Sequence, residues 1–64
     1  MKLRELKQGQ LFTLKDIAVP NENQVFVRKE FDRSEKKYLV QRYSDINSWR
    51  YLSGDRKVFV DFIF

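Results

Sequence analysis

Short runs of β-branched and aromatic residues alternate with polar stretches along this chain. Two of these runs, QVFVRKEF at residues 24–31 and YLVQRY at 38–43, bracket the turn-forming stretch DRSEKK, so we predict a β-hairpin. An earlier strand is predicted at residues 11–14. It is followed by a long loop at 15–24, which holds the only proline and the polar stretch NENQ.

The register of the predicted hairpin decides which side chains face inward. Pairing Val27 with Val40 turns Val25 and Val27 toward the core and leaves Phe26 and Leu39 pointing outward. Because side chains alternate along a strand, a slip of one residue would exchange the two sets.

A second hairpin is predicted around Gly54, in the stretch YLSGDRKVFV. Gly-Asp suits a two-residue type II′ turn, in which the glycine takes a positive φ. Pairing outward from that turn sets Tyr51 opposite Val58 and Trp49 opposite Val60. These are favourable pairs of an aromatic with a β-branched side chain, and we predict that all four side chains face inward.

The last seven residues, VFVDFIF, are apolar except for Asp61. A strand that is apolar on both sides is either covered on both sides or exposed for docking. We favour the first and predict an all-β fold, a five-stranded SH3-like barrel in which this strand closes against the first. The predicted layout is an antiparallel meander with one longer loop after strand 1, and residues 1–64 form a single domain.

The 64 residues include six Phe, three Tyr and one Trp but no Cys and no His. Aromatic side chains must therefore supply the core without help from disulfides or the common zinc sites. The absence of cysteine agrees with a reducing compartment, and no apolar run reaches signal-peptide or membrane-spanning length. We expect a cytoplasmic protein with no membrane contact.

The sequence offers little for catalysis. Without histidine or cysteine, triads that pair a nucleophile with histidine are excluded. Asp32, Asp45 and Asp55 lie in turn-forming stretches, where their carboxylates can hold the backbone, and only Asp61 lacks such a role. We therefore expect no enzyme and predict no catalytic, cofactor-binding or metal-binding residue.

Two kinds of binding surface stay open. Protein–protein interaction or self-association, including a homodimer, is favoured, with an apolar interface at Phe26, Leu39, Phe59 and Ile63. The alternative is nucleic-acid binding, since the net charge is +4 and basic residues are interleaved with aromatics. Its predicted contacts are Arg28, Lys37, Arg42, Arg50 and Arg56, and we expect Arg28, Lys37 and Arg50 to form one basic stripe.

Three stretches, LKQGQLFTL, VFVRKEFDRSEKKY and YLSGDRKVFVDFIF, resemble short, functionally uncharacterised bacterial proteins of phages, plasmids and integrated elements. This resemblance implies a compact all-β fold and supplies no activity. The opening stretch is also similar to the first strand of translation-factor SH3-like domains, although Gln10 stands where their motif has aspartate. SH3-like folds serve many roles, so the resemblance leaves function open.

Overall fold

The protein is built on one antiparallel sheet of four strands, in a computed structural model that describes all residues, Met1–Phe64. The strands pair in chain order as a meander: β1 Leu11–Thr13, β2 Val25–Asp32, β3 Lys37–Arg42 and β4 Asp45–Leu52. Single turns of 3₁₀ helix at Leu3–Glu5 and Glu22–Gln24 are the only helical segments, and no helix has the length and apolarity to cross a membrane. The predicted all-β class, the meander and the long loop after β1 are confirmed.

The sheet does not close into the predicted barrel. After β4 the chain turns back toward the amino terminus and makes only isolated bridges, between Lys57 and Lys2 and between Phe59 and Thr13. Thr13 and Phe59 exchange both backbone hydrogen bonds, at 2.9 and 3.0 Å. The carboxy-terminal segment therefore returns to β1 as predicted, but it forms no fifth strand, and β4 has β3 as its only neighbour.

The predicted pairing of Tyr51 with Val58 and of Trp49 with Val60 is also wrong. The Arg56 N–H donates to the Ser53 carbonyl (3.0 Å) and so closes a turn. The Arg56 carbonyl then accepts from the Leu3 N–H (2.9 Å), so the chain leaves β4 at once. Backbone hydrogen bonds to the amino-terminal segment thus take the place of the second hairpin.

Gly54 lies in this turn for a reason other than its backbone angle. Gly9 is the only glycine with positive φ, at 90°, so the type II′ assignment is wrong. A Cβ atom on Gly54 would lie 3.0 Å from Tyr38 Cε2 and 3.3 Å from Arg4 Cβ. The missing side chain lets the turn approach β3 and the amino-terminal segment closely.

The hairpin of β2 and β3 forms where it was predicted, but its register differs by one residue. Val27 lies opposite Gln41, and Arg28 lies opposite Val40. The register shifts again between Arg28 and Phe31, where β2 bulges. Because a slip of one residue exchanges the faces, Val27 lies on the face away from the core.

Phe26 shows the consequence of this slip most clearly. It was predicted to point outward, yet it is 7% exposed and its ring stacks on Phe12 with centroids 5.8 Å apart. Leu39 lies on the opposite face, as predicted, and there it is in register with Tyr51, which was not predicted.

The core lies on one face of the sheet, which we call the covered face and which includes Phe12, Phe26, Val40 and Leu52. The 3₁₀ turn at Leu3–Glu5 and the segment around Val58 pack over it. The buried cluster consists of Leu3, Leu6, Phe12, Phe26, Val40 and Val58. Leu14, Tyr38, Leu52 and Val60 are partly buried around it.

Candidate functional site

The four residues predicted as an apolar interface do not form one surface. Phe26 belongs to the core, and Leu39 lies on β3. Phe59 lies beyond β1, three strand spacings from β3, which is about 14 Å. Phe59 is half-buried with the Lys57 ammonium 5.5 Å from its ring centroid, and Ile63 is 75% exposed in the terminal segment. Leu39, itself only partly exposed, is therefore separated from Phe59.

A different apolar surface occupies the second face of the sheet. Leu11, Val27, Gln41 and Trp49 lie side by side across the four strands, and Leu39 and Tyr51 form the next row. We call these six residues the outer face. The structure places no helical turn over them.

Trp49 and Tyr51 are the exposed centre of the outer face. Trp49 is 48% exposed and Tyr51 is 46% exposed, although the sequence predicted both to point inward. Sequence reasoning missed them because it paired them with Val58 and Val60. Their positions two apart on β4 were the available signal, since that spacing places them on one face.

Acidic groups border the outer face next to Tyr51. The Tyr51 hydroxyl donates to Asp32 Oδ2 at 3.3 Å. The negative charge of Asp32 raises the pKa of Tyr51 above its usual value of 10.0, and Glu35 adds to the effect. Asp32 also accepts backbone N–H bonds from Ser34 and Glu35 through Oδ1, which confirms its predicted role in the turn.

Three of the five predicted nucleic-acid contacts are dispersed. Arg28 lies on the covered face, with its guanidinium 4.5 Å from the centroid of the Tyr38 ring and a 2.7 Å hydrogen bond to the Lys29 carbonyl. Lys37 lies opposite Asp32 in the register, and Arg56 lies in the turn after β4. A continuous stripe of Arg28, Lys37 and Arg50 does not form.

The remaining two, Arg42 and Arg50, meet at the end of the covered face. Their Cζ atoms lie 5.5 Å and 5.9 Å from the centroid of the same ring, that of Phe26. They line a pocket of about 310 Å³, which we call the basic pocket. Its other lining residues are Leu14, Lys15, Ile17, Asn23, Gln24 and Phe26.

The aspartates do not assemble into a reactive pair. Asp45 accepts the Asn47 N–H at 2.9 Å, and Asp55 forms ion pairs with Arg4 and Lys2. No group of three side chains of the kinds that bind metal ions lies together. The candidate sites are therefore two binding surfaces on opposite faces of the sheet.

Comparison with protein-family models, with curated proteins and with solved structures gives no match for this chain. The resemblance to short proteins of bacterial mobile elements therefore stays a prediction.

Proposed function

We propose that this protein is a non-enzymatic binding module that docks a protein surface on its outer face, and that the docked surface is a second copy of the chain. The observation that supports this most is the exposure of Trp49 and Tyr51, each nearly half exposed, beside Leu39 on the outer face. Contiguous exposed apolar area on a small soluble domain usually marks an interaction site.

The chemistry of the outer face favours a protein over a nucleic acid. Tryptophan and tyrosine are the side chains most often found at the energetic centre of protein interfaces. Aromatic rings can also stack on bases, but Asp32 and Glu35 place negative charge beside Tyr51. That charge repels phosphate groups, so the aromatic pair is a poor platform for a nucleic-acid strand.

Size favours a second copy as the partner. The buried cluster of this domain holds six residues, and small domains of this kind commonly gain stability by oligomerisation. A two-fold dimer uses the same patch on both subunits, so one apolar face is sufficient. Two sheets packed face to face at about 10 Å would cover both outer faces.

Trp49 is the only tryptophan, so it reports directly on this surface. As protein concentration rises into the millimolar range, we expect its emission to shift to shorter wavelength and the mass in sedimentation to approach that of a dimer. Leu39→Ser and Tyr51→Ser should suppress both changes. Val19→Ser is the matched control, because Val19 is 70% exposed in the loop between β1 and β2.

A mass that stays monomeric, with constant Trp49 emission over the same range, would rule out self-association. Association that Val19→Ser weakens as much as Leu39→Ser would place the contact elsewhere. Nucleic-acid binding through all five predicted basic residues stays a prediction with less support, since only Arg42 and Arg50 share a site.

A further inference from the structure

The basic pocket gathers three cationic side chains without a carboxylate among its lining residues. Lys15 comes from the loop after β1, Arg42 from the end of β3 and Arg50 from β4. The Thr13 hydroxyl donates to the Lys15 carbonyl at 2.7 Å and ties the start of this loop to the sheet. Like charges held together in this way favour an anion between them.

The protein does not neutralise these charges internally. Both of its ion pairs use Asp55. This residue lies in the turn after β4 and pairs with Lys2 and Arg4 of the amino-terminal segment. Asp45 lies opposite Arg42 in the register, but it accepts the Asn47 N–H and forms no ion pair with Arg42. The Nε atom of Arg42 is buried and has no hydrogen-bond partner.

The two arginines rest on a rigid support. Both guanidinium groups lie within 6 Å of the Phe26 ring centroid, and Phe26 is itself stacked on the fully buried Phe12. Cation–π contact of this kind reduces the freedom that each arginine would lose on binding. A planar guanidinium group can donate two parallel hydrogen bonds to the oxygens of one phosphate. Two arginines held in place beside each other therefore suit a phosphate group.

The uncharged polar groups of the pocket also present donors. The side-chain oxygen of Asn23 accepts from the Ser44 hydroxyl at 2.7 Å, and that of Gln24 accepts from the Asn21 N–H at 3.0 Å. Their amide N–H groups are thus the polar groups left for a ligand. Leu14 and Ile17 supply an apolar wall for an organic group attached to the anion.

We propose that the basic pocket binds the phosphate group of a nucleotide, with the rest of the nucleotide against Leu14 and Ile17. A volume of about 310 Å³ is at the small end of ligand pockets and fits one nucleotide unit. A free nucleotide and a nucleotide within a single strand offer the same chemistry. This inference does not depend on the proposed protein-docking function, because the pocket and the outer face lie on opposite sides of the sheet.

The test titrates three probes at low salt: inorganic phosphate, adenosine 5′-monophosphate and a labelled single-stranded DNA oligonucleotide. Resonances of the Arg42 and Arg50 Nε–H groups and of the Phe26 ring report binding. We expect saturable shifts at these groups, with the adenosine monophosphate tighter than inorganic phosphate. If the oligonucleotide binds far more tightly and its affinity falls steeply with salt, the source is nucleic acid. If the oligonucleotide and adenosine monophosphate bind with equal affinity per site, the natural ligand is the free nucleotide.

Arg50→Gln should weaken binding by about tenfold or more, because it removes charge-assisted hydrogen bonds. Arg56→Gln is the matched control, since it removes the same charge from the turn after β4 and should change affinity less than about twofold. Arg50→Lys keeps the charge but loses the bidentate guanidinium group, so its affinity should lie between those of the wild type and Arg50→Gln. Circular dichroism of each variant shows whether the sheet persists.

Equal losses in Arg50→Gln and Arg56→Gln would reduce the effect to general electrostatic attraction and overturn the site. Inorganic phosphate that binds as tightly as adenosine monophosphate would overturn the nucleotide assignment. The absence of saturable shifts with all three probes would overturn the proposal as a whole. Leu39→Ser on the outer face should leave the titration unchanged, so failure here is distinguishable from failure of self-association.

Discussion

The two faces of one sheet differ more in what lies over them than in their own composition. Phe12, Phe26 and Val40 on the covered face are buried, whereas Trp49 and Tyr51 on the outer face are nearly half exposed. All five belong to strands of one meander, in which successive side chains point to opposite faces. Outside the sheet, Leu3 and Leu6 before it and Val58 after it pack on the covered face, whereas the ring of Phe64 packs against Tyr43 with centroids 4.9 Å apart.

This comparison shows how a small domain comes to expose apolar surface. Small chains bury a low fraction of their surface on folding, because their surface is large relative to their volume. Covering a second face would require a further layer of structure. The outer face is thus available for a partner. We expect substitutions on the covered face to lower the stability of the domain and substitutions on the outer face to weaken its association.

The largest effect should come from Phe12→Ala. Phe12 is fully buried and stacked on Phe26, and removing a buried phenylalanine ring typically costs about 3–5 kcal/mol. In a domain of this size, that loss should leave much of the population unfolded at room temperature. Urea unfolding followed by circular dichroism, at a concentration where the protein is monomeric, measures the change.

Leu39→Ala is the control on the outer face, and we expect it to cost about 1 kcal/mol under the same conditions, since Leu39 is only partly buried. Similar losses for Phe12→Ala and Leu39→Ala would show that both faces are covered in solution.

A smaller loss of stability is expected from substitutions at Gly54, which lies in the turn that leads the chain back over the covered face. Gly54→Ala places a Cβ atom 3.0 Å from Tyr38 Cε2, and overpacking of this kind costs about 1–3 kcal/mol. Tyr38→Leu removes the clashing atom, so the double variant should lose less than the sum of the two single losses. Thermal unfolding of the four proteins in the cycle measures this coupling.

Gly9→Ala provides a contrast, because φ is 90° there and the space around a Cβ is empty. Its cost, about 1–2 kcal/mol, should be independent of Tyr38→Leu. Additive losses for Gly54→Ala and Tyr38→Leu would mean that the backbone, not the close approach, requires Gly54.

Much of the fold could be predicted from the sequence, because alternation and turn chemistry are local signals. The strands at residues 24–31 and 38–43 and the long loop before them were placed within a residue or two. The register was missed because β2 bulges between Arg28 and Phe31, where Lys29 and Glu30 carry no sequence signal for a bulge. That one-residue slip reversed the assignment of Phe26.

Barrel closure and the candidate sites depended on longer-range contacts. The hydrogen bond between the Leu3 N–H and the Arg56 carbonyl redirects the last segment, and backbone groups leave no trace in a sequence. Arg42 and Arg50 were among the predicted contacts and line one pocket, but the approach of Lys15 depends on the path of the loop. Trp49 and Tyr51 were placed inward because the missing second hairpin was assumed.

A still smaller effect is expected from Asp55→Ala, which tests what holds the amino-terminal segment on the covered face. Asp55 pairs with Arg4 and Lys2, but these side chains are more than half exposed. Exposed ion pairs contribute about 0–1 kcal/mol, so burial of Leu3 and Val58 should hold the segment. We expect a loss under about 1 kcal/mol in urea unfolding. A loss as large as that of Phe12→Ala would mean that charge holds the cover in place.

The smallest effect should be a pH dependence carried by Tyr51 on the outer face. Asp32 raises the pKa of this phenol in the folded protein, so the folded chain keeps a proton that the unfolded chain has begun to release near pH 10.0. Stability falls with pH wherever the folded state binds more protons, so this contribution is complete below pH 10.0 and is lost as pH rises through the raised pKa. Urea unfolding as a function of pH should therefore decline less steeply in Tyr51→Phe than in the wild type. Lysine deprotonation affects both proteins alike and cancels in the difference.

Asp32→Asn should lower the pKa of Tyr51 toward its usual value, because it removes the negative charge beside the phenol. An absorbance titration of the phenolate measures this pKa, and a titration that Asp32→Asn leaves unchanged would show that Asp32 does not raise it.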